Sequence, residues 1–204
     1  MKLYWAPRTC AMAPHIVLEW AGADYEAERV QPGSDEYKRV NPLGAVPAMV
    51  DGDSGVMTQA DAILKYLAKK FPGANLGPGN DAKSVYEMDR WLAYLTGDLH
   101  PAFFPFFNPK RYTTDHDEKA LDAVKAAAML RIETVLAVLE NHVSGPHVLE
   151  NRRTIVDPYA FAMLRWVNLL PKKLDAYPSL QRFFAALTKD DVVQKVLDVH
   201  GIKA

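Results

Sequence analysis

The sequence predicts an α+β fold, in which a mixed α/β N-terminal half is followed by an all-helical C-terminal half. Three observations support this prediction. The first ~75 residues alternate strand-like and helix-like segments. Phe71 to Asp81 contains three glycines and two prolines in 11 residues, which is typical of a linker. Beyond it, apolar residues recur at helical spacing. We therefore expect two domains, residues 1–77 and 84–204, that share a cleft.

Short apolar or alternating segments define the N-terminal half. Helical spacing is clearest after Ala11, where Ile16, Val17 and Trp20 form an apolar stripe that ends at Gly22. The expected strands are Lys2 to Trp5, Tyr25 to Val30, Ala45 to Val50 and Gly55 to Met57, and the expected helices are Ala11 to Gly22 and Ala60 to Phe71, with a helical turn around Glu36 to Val40.

Strand signals disappear after the linker, and helical periodicity takes over. The expected helices are Ser84 to Leu99, Asp117 to His142, Pro158 to Leu170 and Leu180 to Leu187. Thr154 and Asp157, just before an apolar run, have the spacing of a capping box, in which side chain and backbone satisfy each other's hydrogen bonds. We expect this pair to be structural and not catalytic.

Composition excludes several classes of function. Hydrophobic residues make up 49% of the chain, charged residues 24%, and the net charge is -1. Without a strong positive field, neither nucleic acid nor an anionic membrane is an expected partner. No apolar run approaches the roughly 18 residues of a membrane span, and the N-terminus lacks the apolar core of a signal peptide, so a cytoplasmic location is expected. The single cysteine cannot form an internal disulfide, and no metal site is expected.

Cys10 lies between the first predicted strand and the first predicted helix. The start of a helix presents unpaired N–H groups and the positive end of the helix dipole, which can lower the pKa of a thiol. The strand–turn–cysteine–helix order is that of thioredoxin-like folds. The second cysteine of a C-x-x-C pair is missing, since Ala13 stands there. The site would therefore need an external thiol, such as glutathione; alternatively, Cys10 packs beneath the loop.

Two further segments are candidates for ligand binding. Pro47 opens a predicted strand, where either a cis bond that exposes the Val46 backbone or an ordinary trans proline at a sheet edge is possible. Thr58 and Gln59 precede a predicted helix, whose N-terminal N–H groups attract a carboxylate. This second segment can equally be an ordinary helix start.

Five motifs, in order along the chain, resemble those of the bacterial beta-class glutathione transferases. They are MKLYWAPRTCAMAPHIVLEWAG, NPLGAVPAMV, MTQADAILKYLA, GDLHPAFFPFFNP and TIVDPYAFAMLRW. The resemblance implies a thioredoxin-like N-terminal domain, an all-helical C-terminal domain, a homodimer and glutathione as co-substrate without any other cofactor. In the second motif it implies a cis proline.

The resemblance also assigns residues to glutathione. Cys10 and His100 are similar to the cysteine and histidine near the glutathione sulfur, and would be the catalytic pair. Val46, which precedes Pro47, is similar to the residue whose backbone pairs with the cysteinyl unit of glutathione. Gln59 and Ala60 resemble the pair that receives the γ-glutamyl group.

The second substrate is expected to be a small apolar electrophile. Tyr159, Trp166 and the Phe103–Phe104 region would line its pocket, although the two phenylalanines can equally belong to the interhelical core. The predicted activity is conjugation of glutathione.

Three alternatives stay open. Cys10 can support thiol–disulfide chemistry. The same pocket can also belong to a binding protein with little turnover, since Ala60, Ala93 and Pro101 stand where polar residues are common. A lyase, isomerase or dehalogenase on the same fold is the third.

Overall fold

The four strands form one mixed sheet. In a computed structural model that describes residues 1–149 and 152–202, the strand order is β2-β1-β3-β4. Positions 150, 151, 203 and 204 of the expected C-terminal domain lie outside the described residues. The strands are β1 (Lys2–Trp5), β2 (Glu26–Arg29), β3 (Ala48–Val50) and β4 (Val56–Thr58).

The sheet has a parallel half and an antiparallel half. β1 runs parallel to β2 and antiparallel to β3, and β3 runs antiparallel to β4. Leu3 in β1 lies opposite Ala27 on one side and Met49 on the other. Leu3 and Met49 are fully buried, because they face the helices that cover the sheet. This order of strands, with its single parallel pair, is that of a thioredoxin-like sheet.

Ten α-helices are present in the described residues, and their order confirms the α+β prediction. Those of the N-terminal half are α1 (Met12–Trp20), α2 (Asp35–Lys38) and α3 (Ala60–Lys70). Those that follow are α4 (Ala82–Tyr94), α5 (His100–Ala102), α6 (Phe104–Phe107), α7 (Glu118–His142), α8 (Val156–Val167), α9 (Pro178–Thr188) and α10 (Asp191–Val199).

The helical half differs from the expectation in several details, and the short helices α5 and α6 were not expected. The helix expected over Ser84 to Leu99 is an α-helix only as far as Tyr94, and Leu95–Leu99 forms a π-helical turn. Such turns insert one residue and re-aim the side chains that follow, and they are frequent at functional sites. Helix α10 was not expected. Its Asp190 cap, which accepts from the Val192 and Val193 N–H groups, is the local signal for it.

Helix α1 joins the two halves of the molecule. It packs against α3 beneath the sheet and against α8 and α10 of the helical half. The indole N–H of Trp20 donates to Asp190, and Lys195 pairs with Glu19 at 2.6 Å.

Between α1 and α10, His15 Nδ1 lies 3.1 Å from Nε2 of His200, which follows α10 directly. Both imidazoles are buried, and the Trp5 ring lies against His200. This imidazole pair therefore forms part of the contact that fixes the two halves relative to each other.

The expected capping box is present at the start of α8. The Asp157 carboxylate accepts from the Thr154 N–H at 2.7 Å, and the Thr154 hydroxyl accepts from the Val156 N–H. Asp157 also accepts from the Val148 N–H at 2.7 Å, so it ties the preceding loop to the helix. Its side chain is fully buried, and its role is structural, as expected.

Within the described part of the chain, no helix has the length and apolar character that crossing a bilayer requires.

Candidate functional site

A cavity of about 530 Å³ opens between the loops at the edge of the sheet and the helical half. This volume is in the range that small ligands occupy. Nine of the ten residues expected from the sequence line it, and one does not. Those nine are Cys10, Val46, Pro47, Gln59, Ala60, His100, Phe104, Tyr159 and Trp166.

Cys10 lies two residues before α1, with its thiol almost completely buried. Its Sγ–H donates to the Val46 carbonyl at 3.6 Å. Desolvation by burial raises the pKa of this thiol to about 12, opposite to the shift expected from a helix start.

The geometry of the first turn of α1 explains the difference. The Met12 and Ala13 N–H groups already bond to the carbonyls of Thr9 and Cys10, and Pro14 has no N–H. Few donors are left for a thiolate, so desolvation dominates its pKa.

The Val46–Pro47 bond is cis, as the resemblance implied. One carbonyl anchors the loop before this bond: the Asn41 amide and the Tyr37 hydroxyl both donate to the Ala45 carbonyl, at 2.7 and 2.9 Å. These two bonds hold the peptide unit that leads into Val46, which lies in a bend just before β3 and lines the cavity. Among the described residues, its N–H has no hydrogen-bond partner.

Gln59 stands at the N-terminus of α3 with a φ of 70° and no side-chain cap. A positive φ in a residue with a side chain costs energy, and such residues concentrate at binding sites. Because Gln59 and Ala60 also line the cavity, the unpaired N–H groups of the first turn of α3 lie beside it. This end of the cavity is suited to a carboxylate.

His100 is the first residue of α5, directly after the π-helical turn. Its Nδ1 lies 3.0 Å from the Tyr159 hydroxyl. Its ring packs against Phe104 and Trp166, with centroids 4.9 and 5.1 Å away. Burial lowers the pKa of His100 to about 4, so the imidazole is neutral at pH 7.

Phe103 corrects the expectation for the pocket wall. It is fully buried and does not line the cavity; its ring packs edge-on against Trp166 at 5.5 Å. The helical turn from His100 sends these neighbouring side chains in different directions, so Phe104 reaches the cavity while Phe103 enters the core. Trp166 is held in place by its indole N–H, which donates to the Arg8 carbonyl at 2.9 Å.

Several lining residues were missed in the sequence, among them Thr96, Asn108 and Arg111 of the helical half. Thr96 lies in the π-helical turn, and its hydroxyl is 3.4 Å from that of Tyr159. Arg111 is the only lysine or arginine that lines the cavity in the described residues, and no aspartate or glutamate lines it there. The cavity therefore favours an anionic occupant. The only signal in the sequence is the short basic stretch at Lys110 and Arg111.

A thioredoxin-like half, a helical half and a cysteine beside a cis proline define the architecture of a glutathione transferase. The comparisons with known proteins agree. The family model "Glutathione S-transferase, N-terminal domain" matches residues 1–69, and "Glutathione S-transferase, C-terminal domain" matches residues 97–191. Together these models span more than half of the chain.

Named relatives cover the chain from end to end. It is similar to glutathione S-transferase GST-4.5 of Xanthomonas campestris pv. campestris, with 34% identity over 99% of this chain and 100% of the relative. Among solved structures, it resembles the beta-class glutathione S-transferase of Sphingomonas chungbukensis, with 29% identity, a TM-score of 0.88 and full coverage of both chains. It also resembles a sphingomonad glutathione S-transferase complexed with glutathione, with 30% identity, a TM-score of 0.86 and full coverage of both.

The chain belongs to the glutathione S-transferase family. It is a glutathione transferase, and glutathione is its co-substrate.

Proposed function

We propose that this chain conjugates glutathione to small apolar electrophiles in the cavity, with Cys10 and His100 as the groups that contact the glutathione sulfur. One observation carries the proposal. A single cavity is lined by a thiol, an imidazole, an exposed backbone edge, a helix N-terminus and an aromatic wall.

The peptide part of glutathione matches the N-terminal side of the cavity. The Val46 N–H and carbonyl can pair with the cysteinyl unit as an added strand does. The γ-glutamyl carboxylate would lie at the start of α3, beside Gln59 and the Ala60 N–H. Arg111 supplies the positive charge for a molecule that carries two carboxylates and one ammonium.

The sulfur would lie between two neutral hydrogen-bond donors. Cys10 is a thiol at neutral pH because its pKa is about 12, and His100 is a neutral imidazole. Each has one hydrogen to donate. That of Cys10 lies on the Val46 carbonyl in the structure and would turn to the glutathione sulfur in the complex. Two such donors favour the thiolate over the thiol, and this lowers the pKa of the bound glutathione. The thiolate then attacks an electrophile held against Phe104, Tyr159 and Trp166.

The same pKa argues against Cys10 as the attacking nucleophile. With its pKa raised to about 12 by burial, this thiol is not ionised to a useful extent at pH 7. Thiol–disulfide exchange needs that thiolate. Conjugation needs Cys10 only as a hydrogen-bond donor through its S–H group, so the buried cysteine favours conjugation over disulfide chemistry.

Steady-state kinetics of wild type, Cys10→Ser, Cys10→Ala and His100→Ala test this proposal with an aromatic electrophile and with a small mixed disulfide. Serine keeps a donor at position 10 and removes the thiol. We expect Cys10→Ser to retain conjugation better than Cys10→Ala, and His100→Ala to lower it roughly 5- to 10-fold. Conjugation lost to the same extent in Cys10→Ser and Cys10→Ala, with mixed-disulfide reduction fast in wild type alone, would instead establish Cys10 as a nucleophile.

The non-catalytic alternative has its own test. Calorimetry with glutathione measures binding independently of turnover. Binding at micromolar to millimolar glutathione, with conjugation above the uncatalysed rate, supports the enzyme. Binding without turnover of any electrophile supports a binding protein.

The chain is further proposed to form a homodimer. Large apolar side chains are exposed on two helices of the helical half: Val85 and Tyr86 on α4, and Leu130 on α7, which is 73% exposed. Exposed apolar groups of this size often mark protein interfaces. Sedimentation equilibrium should give twice the chain mass, and Tyr86→Glu should shift the molecule toward the monomer.

Two finer assignments rest on the sequence. We propose the domain boundary between residues 77 and 84, where the chain leaves α3 and enters α4 at Ala82. Limited proteolysis should cut there first if the boundary is correct. A cytoplasmic location is proposed from the sequence and is testable by cell fractionation.

A further inference from the structure

Three side chains form a line of hydrogen bonds along one wall of the cavity. The Thr96 hydroxyl lies 3.4 Å from the Tyr159 hydroxyl, which in turn lies 3.0 Å from His100 Nδ1. Thr96 comes from the π-helical turn, His100 from α5 and Tyr159 from α8. Tyr159 is 1% exposed, so its phenol has little access to water and depends on these two partners.

The bond made by Thr96 is unusual for a helical threonine. Thr134 and Thr188 donate to the carbonyls four residues before them, both at 2.9 Å. Such back-bonding is what a threonine in a regular helix commonly does. Thr96 instead reaches across to α8. The π-helical turn thus directs the Thr96 hydroxyl and the His100 imidazole toward the same phenol.

Counting donors gives the direction of each bond. A phenol has one hydrogen, and a neutral imidazole has one N–H and one bare nitrogen. The bare nitrogen of an imidazole is a stronger base than an alcohol oxygen, and the shorter of the two contacts is the one to His100. The phenol therefore donates to Nδ1 and accepts from Thr96. The hydrogen of His100 must then be on Nε2.

We propose that Tyr159 is a positioning residue that, with Thr96 behind it, holds His100 in the Nε2–H tautomer, so that the imidazole presents a donor to the glutathione sulfur. This inference rests on the proposed function, in which His100 contacts that sulfur. His100 Nε2 has no partner in the described residues and is not sealed from solvent. No proton is transferred in this step: the thiolate accepts a hydrogen bond from Nε2–H, and the phenol keeps its own hydrogen.

The opposite tautomer shows why the position of the hydrogen matters. With Nδ1–H, the imidazole would donate to Tyr159 and present a bare lone pair at Nε2. A lone pair repels a thiolate and can only accept from a thiol, so it would raise the pKa of bound glutathione. Burial lowers the pKa of His100 to about 4, so the doubly protonated ring is not an alternative at pH 7.

Long-range proton–nitrogen NMR of ¹⁵N-histidine-labelled protein without glutathione tests the tautomer directly, because it distinguishes a bare ring nitrogen from one that carries hydrogen. A His100→Gln variant assigns the signals. We expect a bare Nδ1 and a hydrogen-bearing Nε2 in wild type, and a mixture of tautomers in Tyr159→Phe. A hydrogen-bearing Nδ1 in wild type, or an unchanged spectrum in Tyr159→Phe, would overturn the proposal.

Kinetics supply the second readout. Tyr159→Phe should lower kcat for conjugation roughly 5- to 10-fold, leave KM for glutathione within about twofold, and move the rising limb of the pH–rate profile to higher pH. Thr96→Val should do the same more weakly. Tyr94→Phe is the matched control, because it also loses a hydroxyl bond, to the Val135 carbonyl, away from the cavity; it should change neither readout. A rise in KM with kcat unchanged in Tyr159→Phe would mean that the phenol serves binding only.

The two proposals can fail separately. If His100→Gln conjugates as fast as wild type, the role of His100 in the proposed function fails, whatever the tautomer. If His100→Gln is impaired but Tyr159→Phe keeps the wild-type tautomer and pH profile, only the positioning role fails.

Discussion

The imidazole pair between α1 and α10 makes the stability of the protein depend on pH. His15 and His200 are each 2% exposed and lie 3.1 Å apart. Burial lowers the pKa of His15 to about 4 and that of His200 to about 3. In the unfolded chain, both return to an ordinary pKa of about 6.5. Acid should therefore weaken the contact that joins the two halves of the molecule.

The sign follows from proton counts. Between pH 6.5 and about 4 the unfolded chain binds protons at both imidazoles and the folded chain does not, so the free energy of unfolding falls as the pH falls. Between pH 6.5 and 5, each histidine lowers the free energy of unfolding by ~1.4 kcal/mol per pH unit over 1.5 units, which is about 2 kcal/mol. For the pair, the loss is about 4 kcal/mol. Because both folded-state pKa values lie at or below about 4, their individual values hardly affect the result.

Neighbouring charges do not obscure this window. Glu19 favours the protonated form of His15, whereas Lys195 opposes it. Arg165 opposes protonation of His200, as does His15 itself. Burial raises the pKa of Glu19, but its bonds to Lys195 and Tyr25 outweigh burial and hold that pKa below its usual range. His100 is also buried and adds a similar pH dependence of its own, which is why the pair must be isolated by substitution.

Urea unfolding followed by far-UV circular dichroism at pH 7, 6 and 5 measures the effect. In the His15→Gln/His200→Gln variant, the loss of unfolding free energy between pH 7 and 5 should be about 4 kcal/mol smaller than in wild type, whatever its stability at pH 7. Each single variant should show about half of that difference. Substitution of the exposed His116 by Gln is the control and should leave the wild-type loss intact. A double variant that loses as much stability as wild type would refute the reasoning.

Three further substitutions test the site and its supports. Gly44→Ala should cost more stability than Gly52→Ala and should also weaken glutathione binding. Both glycines have a positive φ, but only at Gly44 would a new Cβ approach backbone atoms, at 2.9 Å. Urea unfolding and calorimetry measure the two losses, and equal losses in the two variants would contradict the prediction. Asp157→Asn should cost about 2–3 kcal/mol of unfolding free energy, whereas Asp81→Asn, at an exposed cap, should cost about 1 kcal/mol or less. Arg111→Gln should raise the Kd for glutathione roughly two- to fivefold, with a smaller effect at high salt, since this cation is exposed; a Kd that stays at the wild-type value would rule out its contact with the glutathione carboxylates.

The sequence predicted the order of the elements because local patterns decide it. The stripe of Ile16, Val17 and Trp20 is sufficient for α1, and Asp157 three residues after Thr154 is sufficient for the start of α8. The π-helical turn after Tyr94 was not predictable, because its apolar spacing, from Leu95 to Leu99, is the spacing of an ordinary α-helix. The turn packs against both α7 and α8, and no local pattern encodes contacts between such distant segments.

The sequence predicted which residues form the candidate site, but it did not predict the pKa of Cys10 or the hydrogen bonds between site residues. Family motifs identified Cys10, His100 and the Val46–Pro47 loop. The pKa of Cys10 could not be read from its position before α1, because its thiol is covered by residues far away in sequence, and the donors of the first turn are taken by nearby carbonyls. For the same reason, Tyr159 was assigned to the pocket wall, while its bond to His100 depends on two helices meeting in space.

The neutral state of the site is itself a consequence of burial, and it bears on how the proposed chemistry works. The thiol of Cys10 and the imidazole of His100 are both kept uncharged by desolvation, and no carboxylate lines the cavity in the described residues. In the proposed complex, the charge that develops on the glutathione sulfur therefore meets no competing anion. Two neutral donors act on it in a poorly solvated environment, where each hydrogen bond to a charge is stronger than in water. The Tyr159 hydroxyl orients the His100 donor before the substrate arrives, so less reorganisation of the imidazole is needed when the thiolate forms.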